Sequence, residues 1–194
     1  MALNVGMYGG KMLDITDLKP DDISIYDIGW ALAQNLRFNG HTIIPYSVAE
    51  HCTALSLWVP EHLALVALLH DASEAYIGDV INPVKQWCPE LVALEESIHK
   101  VIFEHFRLDP EAIKLIKPQD DDMCRCEAMQ IMGAPDWARG PNLLRHEIAG
   151  PMTEYERRYY FFRRFEDLTG EKVSLPRDGR DDRGIKSYRA GRGL

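Results

Sequence analysis

A histidine and an aspartate interrupt an apolar stretch at Leu68-Leu69-His70-Asp71-Ala72-Ser73-Glu74. Burying such groups without partners costs roughly several kcal/mol or forces their pKa values to move. A bound cation removes that cost. On a helix Glu74 stands four residues beyond His70 and three beyond Asp71, so all three side chains can point to one side. A second histidine, His51, opens the preceding helix, and an isolated acidic run, Asp120-Asp121-Asp122, opens a later stretch. Imidazoles and carboxylates in this combination suit a divalent transition ion and leave positions for water and a substrate oxygen. The plain alternative makes His70-Asp71 the polar edge of a core helix and His51 an unrelated residue of a capping turn, the common fate of a His-Asp dipeptide. The apolar run, the second histidine and the acidic cluster together count against it.

These residues need elements to hold them, and the periodicity of the chain is helical. The first twenty residues, with Gly6, Gly9, Gly10 and Pro20, read as a loop or short hairpin. Ile25, Ile28, Leu32 and Leu36 recur at helical spacing and predict an amphipathic helix ending before Arg37. Ser47-Val48-Ala49-Glu50 has the form of a capping box and places His51 in a first turn. Pro60-Glu61 predicts a helix through Leu63, Val66, Leu69 and Ala72 to Gly78, apolar enough for the middle of a bundle. A short connection around Pro60 would lay it antiparallel to the helix of His51. Further helices are expected from about Pro89 to Phe106, Pro110 to Met132 and Thr153 to Leu168. Strands do not alternate with helices, no repeat appears, and the expected class is all-α.

The chain has 194 residues, 46% hydrophobic and 27% charged, the balance of one globular domain, assigned to residues 1–172. Residues 173–194 hold six Lys or Arg against three Asp and few large apolar residues, and read as a flexible basic C-terminal extension. A net charge of −8 argues against a protein that coats a nucleic acid polymer, although a small anionic substrate needs only a local cationic site. No apolar run approaches the roughly 18 residues of a membrane span, and Met1 is not followed by a basic and then apolar leader, so no membrane partner and a cytoplasmic location are expected. Cys52, Cys88, Cys124 and Cys126 lack CxxC spacing and read as structural thiols in helical stretches. Trp30, Trp58, Trp87 and Trp137 read as core or interface residues, and the helix of Tyr155, Tyr159, Phe162 and Phe165 as packing within the domain or against another subunit.

Longer stretches carry a resemblance. Tyr46-Ser47-Val48-Ala49-Glu50-His51, Leu69-His70-Asp71-Ala72-Ser73-Glu74-Ala75, Gly78-Asp79-Val80-Ile81-Asn82-Pro83-Val84-Lys85, and Ile116-Lys117 ahead of Asp120 with Glu127-Ala128 beyond follow one pattern. In them and in the order His51, His70-Asp71, Asp120, the chain resembles the HD-domain phosphohydrolases over most of residues 5–170. Among these it is similar to the small bacterial 5′-deoxynucleotidases and the compact phage dATP triphosphohydrolases. The resemblance implies a compact HD-domain helical bundle with a divalent transition metal (Mn, Co, Zn or Fe) held between helices by His51, His70, Asp71 and Asp120. Asp120 is chosen among the three adjacent aspartates because the family's metal aspartate is followed seven residues later by a glutamate, here Glu127. Asp121 is the fallback, and Asp122 reads as a solvated departure from the pattern.

By the same resemblance Glu74 orients the attacking water or passes a proton, and Asp79 helps place water or a second divalent ion; a helix-terminal surface acid is the alternative for Asp79. Arg37 at the end of the first helix, Lys85 and Lys117 are expected on phosphate, and Phe38 beside the base or sugar. Ordinary surface cations and a core aromatic are the competing readings. The implied substrate is a small-molecule deoxynucleotide. Three converging cations favour a triphosphate, hence a dATP-preferring triphosphohydrolase; the alternative is a 5′-deoxynucleotidase acting on monophosphates. A different class, a nucleotide-binding regulatory module with an inactive metal site, stays open, and assembly into a homo-oligomer is expected.

Overall fold

Ser47 starts the helix around which the rest of the molecule packs. Its backbone is extended, its hydroxyl accepts from the Glu50 backbone N–H, and Glu50 reaches back to the Ser47 N–H at 2.7 Å, a complete capping box. The computed structural model describes residues 2–141 and 146–173, so the basic extension expected from residue 173 onward, apart from Val173 itself, lies outside the described residues. Among the described residues the elements run β1 (Asn4–Gly6), β2 (Met12–Asp14), α1 (Ile25–Leu32), α2 (Val48–Trp58), α3 (Ala64–Leu69), α4 (Glu74–Ile77), α5 (Asn82–Lys85), α6 (Pro89–His105), α7 (Ile113–Ile131) and α8 (Glu154–Thr169). Short 3₁₀ turns punctuate them. The β1–β2 hairpin is antiparallel and pairs Val5 with Leu13. The protein is all-α, as its periodicity predicts, and no described helix is long and apolar enough to cross a membrane.

α2 lies against α1, α3, α7 and α8, and α3 in turn packs on α7 and α8. The core between them is built from Ile28, Leu32, Leu55, Leu68, Leu69, Ile102, Phe103, Phe161 and Phe165, all fully buried. Arginines of α8 fasten it to α2. Arg157 meets Glu50 at 3.1 Å and donates to the Pro45 carbonyl, and Arg164 donates to the hydroxyl and carbonyl of Ser56. The Thr153 capping box starts α8, and Gly170 ends it in a left-handed conformation.

Several boundaries differ from those read in the sequence. α1 stops at Leu32, because residues 35–37 leave the helix to pair with residues 46–48 through Arg37 N–H to Tyr46 O and Val48 N–H to Asn35 O. Arg37 therefore sits in a tight turn, Arg37–Gly40, and not at a helix end. The single helix expected from Pro60 to Gly78 is broken into a 3₁₀ turn, α3 and α4. Trp87 is 90% exposed, and Trp58 and Trp137 are also exposed, so these rings are not core residues. Trp30 is the exception, stacked on Tyr8 at 3.7 Å with Arg158 over its face at 4.0 Å. On α8, Phe162 and Phe165 enter the core while Tyr155 and Tyr159 face outward.

α1 approaches α8 tightly at Gly29, where a Cβ would lie 2.5 Å from the Phe162 ring. Gly29→Ala should destabilise the fold by about 1–3 kcal/mol through overpacking. An unchanged midpoint in urea denaturation would show that α1 and α8 separate more easily than this contact implies.

Candidate metal centre

The histidine-aspartate pair lies where helix bonding tightens. Past Leu69 the backbone bonds shorten to three-residue spacing, with Ala72 N–H to Leu69 O, Glu74 N–H to Asp71 O and Tyr76 N–H to Ser73 O. Asn35 donates to the Glu74 carbonyl at 2.8 Å and ties this segment to the end of α1. Ala72, Ser73 and Glu74 are buried here, so the chemistry-bearing turn is held from behind by the core.

His51 from α2, His70-Asp71 from the turn after α3, and Asp120 from α7 converge. His51 Nε2 is 3.1 Å and His70 Nε2 3.5 Å from Asp120 Oδ1. Asp71 Oδ2 stands 3.2 Å from His70 Nε2 and 3.9 Å from His51 Nε2. Ligands about 2.0–2.2 Å from one ion stand roughly 3 Å apart, so this spacing fits a common cation. The ring nitrogens are prepared for it. His70 Nδ1 donates to the Ala67 carbonyl at 2.8 Å, which leaves the buried Nε2 facing the Asp71 and Asp120 carboxylates. His51 Nδ1 donates to Glu127 Oε1 at 2.8 Å, which turns its Nε2 toward the two aspartates.

Electrostatics agree with that geometry. Burial opposes ionisation of Asp71 and Asp120, yet the neighbouring imidazoles outweigh it and hold both carboxyls well below the usual range. Burial likewise opposes charge on His70, but Asp71, with smaller contributions from Cys52 and Asp120, pushes its pKa up. The two carboxylates thus create a potential that attracts a cation to the paired Nε2 atoms. Cys52 also approaches, its Sγ 3.8 Å from His70 Nδ1, but that nitrogen is already committed to Ala67, and burial pushes the thiol up to about 11. A neutral buried thiol is a packing group. All the cysteines are free.

Glu127 stands behind the centre, fully buried. It accepts from His51 Nδ1, from Tyr46 Oη at 2.9 Å and from Arg37 Nε at 3.1 Å. Burial raises its pKa, but His51 and Arg37 outweigh that and keep it ionised. Its place, seven residues after Asp120, was visible as spacing; its bonds to Tyr46 and Arg37 had no sequence signal, because the three residues come from separate segments.

The other expected site residues surround this group. Glu74 is buried with Oε2 unpartnered, and burial, followed by Asp71 and Asp79, pushes its carboxyl pKa well up. Asp79 is also raised, by burial, and feels the charges of Arg37, Asp71 and Lys85. Arg37 is buried, 3.6 Å from Asp71 as well as bound to Glu127. Lys85 is held by Glu95 at 2.7 Å and lies 3.8 Å from Glu74. Lys117 bridges Asp120 Oδ2 and Asp121 Oδ1, both at 2.8 Å. Phe38 lies under the Arg37 guanidinium, 5.2 Å away, with a left-handed backbone (φ 57°) shared by Asn39 and Gly40. Two consecutive non-glycine residues in that region cost about 1–2 kcal/mol each, strain of the kind kept at functional turns. Asp122, expected to be solvated, is instead buried and paired with Arg125 on its own helix. α7 turns Asp120, Cys124 and Glu127 toward the site and leaves Asp121 exposed.

A separate apolar cavity of about 220 Å³ opens on another side of α2, lined by Leu57, Ile148, Met152 and Tyr160, with Tyr46 and Glu50 shared between it and the layer behind the centre.

Comparison with known proteins places the chain in a family. It is 39% identical over 124 residues to the uncharacterized protein YfdR of Escherichia coli, covering 64% of this chain and 70% of that one. It is 38% identical over 141 residues to the uncharacterized protein RCAP_rcc00048 of Rhodobacter capsulatus, covering 66% and 72%. The chain belongs to the family of these two proteins. A shorter stretch of 58 residues, 26% of this chain and 30% of the relative, is 36% identical to a 5′-deoxynucleotidase of Vibrio atlanticus. No protein-family model matches.

Glu127→Gln removes the charge that orients His51 and should weaken divalent metal binding by about 10–100-fold, as loss of a group behind a metal histidine does. Titration calorimetry of the stripped protein with Zn²⁺ checks this, and an unchanged affinity would detach Glu127 from the centre.

Proposed function

We propose that this chain is a metal-dependent phosphohydrolase of the HD-domain type that acts on 5′-deoxynucleotides. The observation that carries the reading is the convergence of His51, His70, Asp71 and Asp120, with the outer nitrogens of both imidazoles already committed to Glu127 and Ala67. Similarity of one segment to a 5′-deoxynucleotidase supports the substrate class. A divalent ion held by these four side chains supplies Lewis acidity toward a phosphoryl oxygen and acidifies water.

The chain's own groups do the rest. Glu74 offers an unpartnered buried Oε2 whose raised pKa makes it a better proton acceptor than a surface carboxylate, so it takes the proton of the attacking water and returns it to the departing sugar oxygen. Asp79 and Lys85 flank Glu74 and orient that water. Arg37, bound to Glu127 and 3.6 Å from Asp71, adds positive charge beside the centre. Phe38, in the turn that carries Arg37, offers a ring face to the base or sugar.

Monophosphates are the favoured substrates. A triphosphate, with about four negative charges, calls for cations free to meet it, whereas Arg37, Lys85 and Lys117 are each engaged by carboxylates. Product analysis after incubating the stripped protein with deoxynucleoside mono-, di- and triphosphates, with and without Mn²⁺, Co²⁺ or Zn²⁺, tests this directly. Orthophosphate from monophosphates is the expected product. Intact triphosphate released from dATP would make the chain a triphosphohydrolase, and no product with any metal would favour a binding module.

Two substitutions test the roles. His70→Ala should abolish turnover and the rise in melting temperature that Mn²⁺ produces in the stripped wild type. Glu74→Gln should lower kcat by about 10²–10⁴-fold while Mn²⁺ still binds, and near-normal kcat in this variant would remove Glu74 from the proton path.

A further inference from the structure

α6 carries a buried histidine nitrogen that nothing among the described residues completes. Glu95, His99 and Phe103 recur every four residues and so follow one face of α6. Phe103 is fully buried in the core, and Glu95 holds Lys85, whose ammonium approaches Glu74. That face is therefore turned inward along the edge of the site. The His99 ring packs on Phe103 with centroids 4.0 Å apart, and its Nε2 is buried with no hydrogen-bond partner. Burial, and next the charge of His70 opposed by that of Asp71, push its pKa down to about 4, so the ring is neutral at physiological pH.

We propose that His99 contacts the substrate, its Nε2–H donating to a phosphoryl oxygen of the nucleotide bound at the His51, His70, Asp71 and Asp120 centre. This rests on the phosphohydrolase reading above. A buried imidazole nitrogen without a partner is unfavourable unless a ligand or water completes it. His99 stands one turn along α6 from Glu95, which holds Lys85 with its ammonium 3.8 Å from Glu74, so the unpartnered nitrogen shares the helix face that borders the Glu74 edge of the centre. The nearby cations are drawn into carboxylate pairs, but a neutral N–H is not. It can meet an anionic oxygen without breaking an ion pair.

The test uses the full chain with diamagnetic Zn²⁺ in the centre, as wild type, His99→Ala and His99→Gln, whose amide nitrogen can replace Nε2. Calorimetric titration with inorganic phosphate and with dAMP should show His99→Ala weaker than wild type by roughly tenfold, the loss expected for one hydrogen bond to a charged oxygen. His99→Gln should recover most of it, and Zn²⁺ stoichiometry should be the same in all three. With Mn²⁺ and dAMP, KM should rise in His99→Ala more than kcat falls. In wild type labelled with ¹⁵N-histidine, phosphate should shift the His99 Nε2 resonance, identified by its absence from His99→Gln; this readout holds even if His99→Ala does not fold. Equal phosphate affinity in all three proteins, or an unmoved resonance, overturns the proposal. If wild type hydrolyses no deoxynucleotide, the phosphohydrolase reading fails separately. The phosphate titration then still decides His99: affinity lost in Ala and regained in Gln supports it, and absence of phosphate binding overturns it.

Discussion

A single buried carboxylate, Glu127, determines how the rest of this site is arranged. It accepts from His51 on α2, Tyr46 before α2 and Arg37 in the turn after α1, while being part of α7 itself. A buried charge is tolerable only when its hydrogen bonds are completed, and removing one partner of such a group typically costs about 3–5 kcal/mol. The segments are thus obliged to meet in one arrangement, and that arrangement turns His51 Nε2 toward Asp71 and Asp120.

The same logic runs outward through the charges around the centre. Lys117 grips the second oxygen of Asp120, Arg37 reaches Asp71, and Lys85 spans Glu95 and the edge of Glu74. Each of these cations is engaged by a carboxylate, so the positive charge around the centre is already paired within the protein. Glu74 is the exception: its second oxygen is left without a partner in a buried setting, at the cost of a raised pKa. Departures from full satisfaction of buried polar groups concentrate at sites of chemistry.

Much of this was legible in the chain. The helical period named the class, the Ser47 capping box started α2 where His51 needs to be, and the interval from Asp120 to Glu127 set both on one face of α7. Helix spacing is local, so residue order reports it. The break of the predicted Pro60–Gly78 helix was not legible, since Leu63 to Ile77 has good apolar periodicity and only the side-chain anchor from Asn35 and the tightened bonds after Leu69 reveal the turn. The fate of Asp122, adjacent to Asp120 and Asp121, was likewise hidden, because neighbouring residues on a helix differ by about 100° and only the packing of α7 tells which is inside.

By itself, the sequence determined the all-α class and the capping of α2, because these follow from residue type and short-range spacing, whereas the choice of His51, His70, Asp71 and Asp120 as a set came through the resemblance to the HD-domain phosphohydrolases. Tertiary structure alone decided that Glu127, Tyr46 and Arg37 share one buried network and that Lys85 is held by Glu95. Those relations join residues from separate segments, between 10 and 90 positions apart for the bonds concerned. Contacts at such range are set by which helix faces the core buries, a property of the packed bundle and not of any one stretch of chain.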